Sequence, residues 1–124
     1  MKLVRVGIIG TSWWADAMYL PSLAGTEKAT VVACCGRNEE RARELASIWN
    51  IPKVYTDWGK MLDEEPLDAV LISTPNDTHC PITLAALEKG LHVLCEKPLA
   101  LNYADARKMA EAAKAHQAVT MVPF

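Results

Sequence analysis

Six short stretches of the 124-residue chain are mostly apolar and rich in β-branched residues: 3–9 (LVRVGII), 29–35 (ATVVACC), 53–55 (KVY), 68–73 (DAVLIS), 91–95 (LHVLC) and 118–122 (AVTMV). Most lack polar alternation, which predicts strands covered on both faces. Between them the period changes. Ala42, Leu45, Ala46 and Trp49 fall on one helical face, with Asn38 placed to cap the helix and Glu39 and Glu40 in its first turn. The stretch from Asn76 begins with capping residues and stops at Gly90, with Lys89 in its last turn. In a third helix Asn102 can cap, and Ala106, Met109, Ala110 and Ala113 form a narrow apolar stripe. Strand and helix in alternation predict an α/β domain with a doubly wound parallel sheet of about six strands.

Composition narrows the class. At 51% hydrophobic and 23% charged, the chain can build one core, and 1–124 is read as a single domain. Thirteen basic and fifteen acidic residues are interspersed, which argues against nucleic acid or a lipid surface as partner. No apolar run approaches a membrane span, and the opening MKLVRVGIIG reads as a strand and not a signal peptide, so a cytoplasmic protein is expected. The four cysteines, Cys34, Cys35, Cys80 and Cys95, form no CxxC or Cys/His spacing and are expected to be buried thiols, with no metal site. The chain closes on TMVPF directly after a strand, as a domain cut from something longer would.

Candidate chemistry begins after the first strand, in GIIGTSWWADAMYLP. A dinucleotide fingerprint has Gly-x-Gly-x-x-Gly or Ala between a strand and a helix. Gly10 supplies the first position and Ala15 the third, while Ser12 stands where the second glycine belongs. Its hydroxyl could donate to a phosphate, and the amides from Ser12 to Trp14 open a helix where anions bind. A plain turn bent at Gly10 is the alternative. Trp13 and Trp14 are expected to pack or to lie as a lid beside the cofactor, and Pro21 to end or kink the helix. The acid that holds a ribose 2′-hydroxyl at the end of the second strand is replaced by Gly36, with Arg37 beside it. Arg37 can pair with a 2′-phosphate, which favours NADP over NAD, unless it is only a solvated residue before the cap.

Two further motifs follow: Thr74-Pro75-Asn76 with His79 three residues on, and Glu96-Lys97-Pro98 after the fifth strand, joined by AALEKGLHVL. With these at this separation, the chain from Val4 onward resembles the N-terminal, Rossmann-type NAD(P)-binding domain of the Gfo/Idh/MocA oxidoreductases. The resemblance implies hydride transfer between a nicotinamide cofactor and a sugar, polyol or related hydroxyl or carbonyl substrate. It places Thr74, Pro75 and Asn76 along the cofactor, Glu96 near the nicotinamide ribose and Lys97 at the reacting oxygen. Pro98, often cis in the family, would shape that corner. His79 has two readings, a cofactor contact or a partner for a backbone group, the second being favoured. The resemblance also implies a second domain, absent from this chain, which brings most of the substrate pocket, an acid/base histidine and an oligomer interface. The chain alone is therefore expected to bind nucleotide weakly without turning over substrate. A redox-assisted glycosidase of the same family and a non-catalytic nucleotide-binding module are the alternatives.

Overall fold

The computed structural model describes residues 2–124. Six strands, β1 (Val4–Ile9), β2 (Ala29–Cys35), β3 (Lys53–Tyr55), β4 (Ala69–Ile72), β5 (His92–Cys95) and β6 (Thr120–Met121), form one sheet in the order β3-β2-β1-β4-β5-β6. Every pairing is parallel, so the doubly wound expectation holds. The strand order reverses between β1 and β4, and it is outside the carboxyl ends of strands at such a switch that open α/β sheets bind ligands.

The apolar runs are continuous because both faces of the sheet are covered. Ile8 and Ile9, neighbours in β1, enter opposite cores. One core joins Ile9, Ile72 and Val93 to Met61, Ile82, Leu87 and Met109, supplied by α3 (Trp58–Glu64), α4 (His79–Glu88) and α5 (Tyr103–Ala115). The other joins Ile8, Cys34 and Leu71 to Leu20, Leu45 and Ala46, from α1 (Leu20–Ala24) and α2 (Glu39–Trp49). Each fully buried leucine or isoleucine stabilises this arrangement by about 1.5–3 kcal/mol. The second face is less completely covered: an apolar groove lies open beside Leu23, lined by Val6, Leu71, Leu94 and Met121.

Helix ends follow their local signals. The Asn38 side chain accepts from the Arg41 amide at 3.0 Å, and Asn102 accepts from the Asp105 amide at 2.8 Å. Gly90, with φ of 79°, ends α4 as its sequence suggests. Four expectations need correction. Asn76–Thr78 form a 3-10 turn leading into α4, and no side chain caps that helix. On α5 Met109 is buried but Ala110 is exposed, and Ala112 packs against the core with Ala113. A seven-residue helix, α3, capped by Asp57, was not foreseen. Pro21 does not end the first helix. A π-helical turn over Ala15–Tyr19 precedes it and the chain stays helical to Ala24. The Leu20 amide reaches back five residues to the Ala15 carbonyl, which widens the turn just where the proline ring would otherwise press on the carbonyl four residues earlier.

Candidate functional site

Gly10 leaves β1 with φ of 108°, and a Cβ built there would lie 2.3 Å from the Ser73 carbonyl oxygen. The position admits only glycine, because the turn after β1 passes directly over the end of β4. Ser12 is engaged in that same crossing. Its hydroxyl accepts from the Ala15 amide at 3.2 Å and lies 2.8 Å from the Ser73 hydroxyl. The serine that replaces the second glycine therefore caps the helix and ties two loops together. The amides of the first helical turn have no carbonyl a turn behind them, which is the condition for holding an anion. Arg41 braces the turn from α2: its Nε donates to the Thr11 carbonyl at 3.3 Å and its guanidinium pairs with Asp16 at 3.4 Å. The Trp49 indole donates to the same aspartate at 2.7 Å.

A cleft runs from this crossing in two directions along the carboxyl edge. One arm, about 340 Å³, is lined by Gly10, Thr11, Ser12, Gly36, Arg37, Thr56, Trp58, Thr74 and Pro75. Gly36 lets the backbone pass close to the turn, since a Cβ there would meet the Thr11 side chain at 2.6 Å. Arg37 stands exposed at the mouth of this arm. The other arm, about 320 Å³, is lined by Ser12, Trp14, Ser73, Thr74, Asn76, Glu96 and Lys97. The arms share Ser12, Ser73 and Thr74, so they form one path past the helix N-terminus. A dinucleotide has that shape: two nucleoside halves joined by a pyrophosphate. Gly10 and Ser12 lie beside the junction, where the fingerprint of such folds places the pyrophosphate.

The far arm carries the polar groups. The Glu96 amide donates to the Ile72 carbonyl at 2.9 Å, which fixes the end of β5 against β4, and the Tyr19 phenol donates to the Glu96 carboxylate. Lys97 is exposed at the open end, and its peptide bond to Pro98 is cis. Trp14 lines this arm, whereas its neighbour Trp13, 71% exposed, lines neither. The two rings stand 5.8 Å apart at a tilt.

His79 lines neither arm. It is completely buried, with Nδ1 2.8 Å from the Pro98 carbonyl oxygen and Nε2 2.9 Å from that of Thr74. It links the turn after β4 to the turn after β5, the backbone role that the sequence favoured. Pro98 likewise lines neither arm and acts as the partner of that imidazole. The cysteines are free and buried, and burial pushes the Cys34 and Cys95 thiols up to about 11 and Cys35 to about 12. They are inert packing groups at neutral pH. Sequence patterns missed Thr11, Ser73, Thr56, Trp58 and Tyr19. For Thr56 and Ser73 a signal existed, because both directly follow strands whose carboxyl ends form this edge.

Fold and cleft define a dinucleotide-binding domain of the doubly wound class. Residues 4–124 match the model of the GFO_IDH_MocA oxidoreductase family, NAD-binding Rossmann fold, and the chain belongs to that family. It is 38% identical to the scyllo-inositol 2-dehydrogenase (NADP(+)) IolU of Bacillus subtilis, over 96% of this chain and 36% of that protein. It is 30% identical to the myo-inositol 2-dehydrogenase of Thermotoga maritima, over 98% of this chain and 36% of that one. A 3-ketoreductase mutant from Actinomadura kijaniata, solved with TDP-benzene and NADP, superimposes with a TM-score of 0.92 at 28% identity, over 99% of this chain and 39% of that one. The chain thus spans 30–36% of the length of the first curated relatives it matches. No helix among the described residues is long and apolar enough to cross a membrane.

Proposed function

We propose that this chain binds NADP in preference to NAD and presents it, within a longer protein, for hydride exchange with a sugar or polyol. The observation that carries the reading is the continuous cleft with Arg37 at one end and Lys97 at the other. At the first end Gly36 replaces a carboxylate, which removes that group's repulsion of a 2′-phosphate, and the Arg37 guanidinium can donate two parallel hydrogen bonds to it. Gly10 and the amides after Ser12 receive the pyrophosphate; Thr74, Pro75 and Asn76 flank it. Glu96 accepts from a ribose hydroxyl. The bound dinucleotide supplies the hydride. Lys97 donates a hydrogen bond to the reacting substrate oxygen and stabilises the negative charge that grows there. Relatives that act on inositols or take NADP support both halves of the reading.

In the full-length protein a second domain completes the substrate pocket beside Lys97 and supplies an acid/base group and an oligomer interface. Its relatives are about three times as long as this chain, and Lys97 stands at the open end of the cleft. The cytoplasm suits a protein whose four cysteines are free and buried. Calorimetric titration of the chain with NADP and with NAD tests the cofactor preference. NADP should bind more tightly, and Arg37→Ala should weaken it about tenfold to a hundredfold while leaving NAD nearly unchanged, the range expected for charge-assisted hydrogen bonds. Tighter binding of NAD would overturn the preference, and failure to bind either would overturn the function.

A further inference from the structure

We infer that Tyr19 is a positioning residue for the far arm of the cleft: the π-helical turn carries its phenol onto Glu96 and fixes that carboxylate toward the nicotinamide half of the cofactor. The inference rests on the NADP reading above.

The case begins in the backbone. An α-helix advances about 100° per residue, so one extra residue in a turn rotates the following side chains by that angle relative to those before it. Between Ser12, which caps the helix at the phosphate crossing, and Pro21, which begins its last segment, the turn over Ala15–Tyr19 adds that residue. Pro21 accounts for the local preference, because it brings no amide and its ring disfavours an ordinary turn behind it. It does not account for what the turn delivers. Tyr19, last residue of the wide turn, lies against the end of β5 and donates to Glu96 Oε2, 77 residues further along the chain. π-Turns inside helices occur frequently at functional sites. Here the turn lies in the helix that receives the pyrophosphate, and Glu96 lines the arm that leads away from it.

The chemistry of the pair is suited to positioning. Burial, then the hydrogen bond to Glu96 and its charge, push the phenol up to about 12, so it remains a donor throughout the physiological range. With Oε2 held by Tyr19, Oε1 is left to accept from a hydroxyl in the cleft. A carboxylate free to rotate would have to be ordered at the moment of binding, at a cost in side-chain entropy.

Tyr19→Phe keeps the ring and removes only the donor. The test is calorimetry on the 124-residue chain with two ligands: NADP, and adenosine 2′,5′-bisphosphate, which lacks the nicotinamide half. The variant should weaken NADP about fivefold to tenfold, the worth of one ordinary hydrogen bond, since Glu96 itself remains and loses only its orientation, and leave the bisphosphate unchanged. Glu96→Gln should give a loss of the same kind. The double variant should be no worse than Glu96→Gln alone, since Tyr19 acts only through that carboxylate. Unchanged NADP affinity in Tyr19→Phe overturns the inference. Equal weakening of both ligands also overturns it, because the hydroxyl would then be holding the fold and not one arm. Unmodified chain that binds the bisphosphate but not NADP overturns it as well, while binding of neither ligand defeats the cofactor reading itself.

Discussion

Replacing His79 with leucine should destabilise the chain by about 1–3 kcal/mol, measured as a fall in the urea midpoint at unchanged m-value. The imidazole is completely buried and both of its nitrogens face carbonyl oxygens, those of Pro98 and Thr74. Leucine fills similar space but donates to neither. A neutral imidazole donates to one of the two, and a partly buried carbonyl left without its donor costs about 1–3 kcal/mol. The damage should be local as well as global. The two turns that His79 joins carry Thr74 on one side and Lys97-Pro98 on the other, so amide signals in both should shift together in an NMR spectrum. His79→Asn, which retains a donor but not the reach of two opposed nitrogens, should fall between the native chain and the leucine variant. A loss below about 1 kcal/mol for His79→Leu would mean that water replaces the ring and the staple has little energetic role.

That role for His79 was partly legible, and the way it was legible is instructive. A histidine at the start of a helix, close to a cofactor motif, admits either contact or support. Only the fold decides, because the partner carbonyl belongs to Pro98, nineteen residues further on. Patterns of burial transferred well from sequence: runs such as VVACC and AVLI are apolar without alternation because helices press on both faces. The last strand transferred least well. Expected over 118–122, it forms only at Thr120–Met121, for β6 lies at the sheet edge with β5 as its one neighbour. Gln117, with φ of 53°, turns the chain just before it. The helix α3 was missed because seven residues offer barely two turns of periodicity, although Asp57 followed by Met61 and Leu62 carries a cap and an inward face.

The π-turn lay beyond the sequence for a different reason. Side-chain periodicity reports which face of a helix is buried, not whether a given amide reaches back four residues or five. Pro21 announced a disturbance, and the natural inference from a proline is an end or a kink. The structure absorbs it by widening, which keeps the helix and brings Tyr19 to Glu96. The crossing of Ser12 with Ser73 is similar. From the fingerprint alone Ser12 is a defect in a glycine motif, yet its hydroxyl serves the helix cap and the neighbouring loop, so it replaces conformational freedom with hydrogen bonds.

In the full-length protein, Lys97→Ala should lower kcat/KM for a sugar or polyol by about 10²–10⁴, the range spanned by loss of a general acid–base group or an oxyanion donor. The same substitution should change NADP affinity by less than about threefold, because the groups assigned to the adenosine and pyrophosphate lie along the other arm and at the crossing. That separation distinguishes a group acting on the substrate oxygen from one that merely holds cofactor. Lys97→Arg is the sharper comparison. It keeps the positive charge but replaces a compact ammonium with a planar fork, and most of the loss should remain if donation to one oxygen at a fixed distance is what matters. Comparing affinity in the 124-residue chain with turnover in the longer protein assigns the two effects to different parts of the molecule. An alanine variant within tenfold of native kcat/KM would remove Lys97 from the reaction, leaving the Glu96 end of the arm to bind cofactor only.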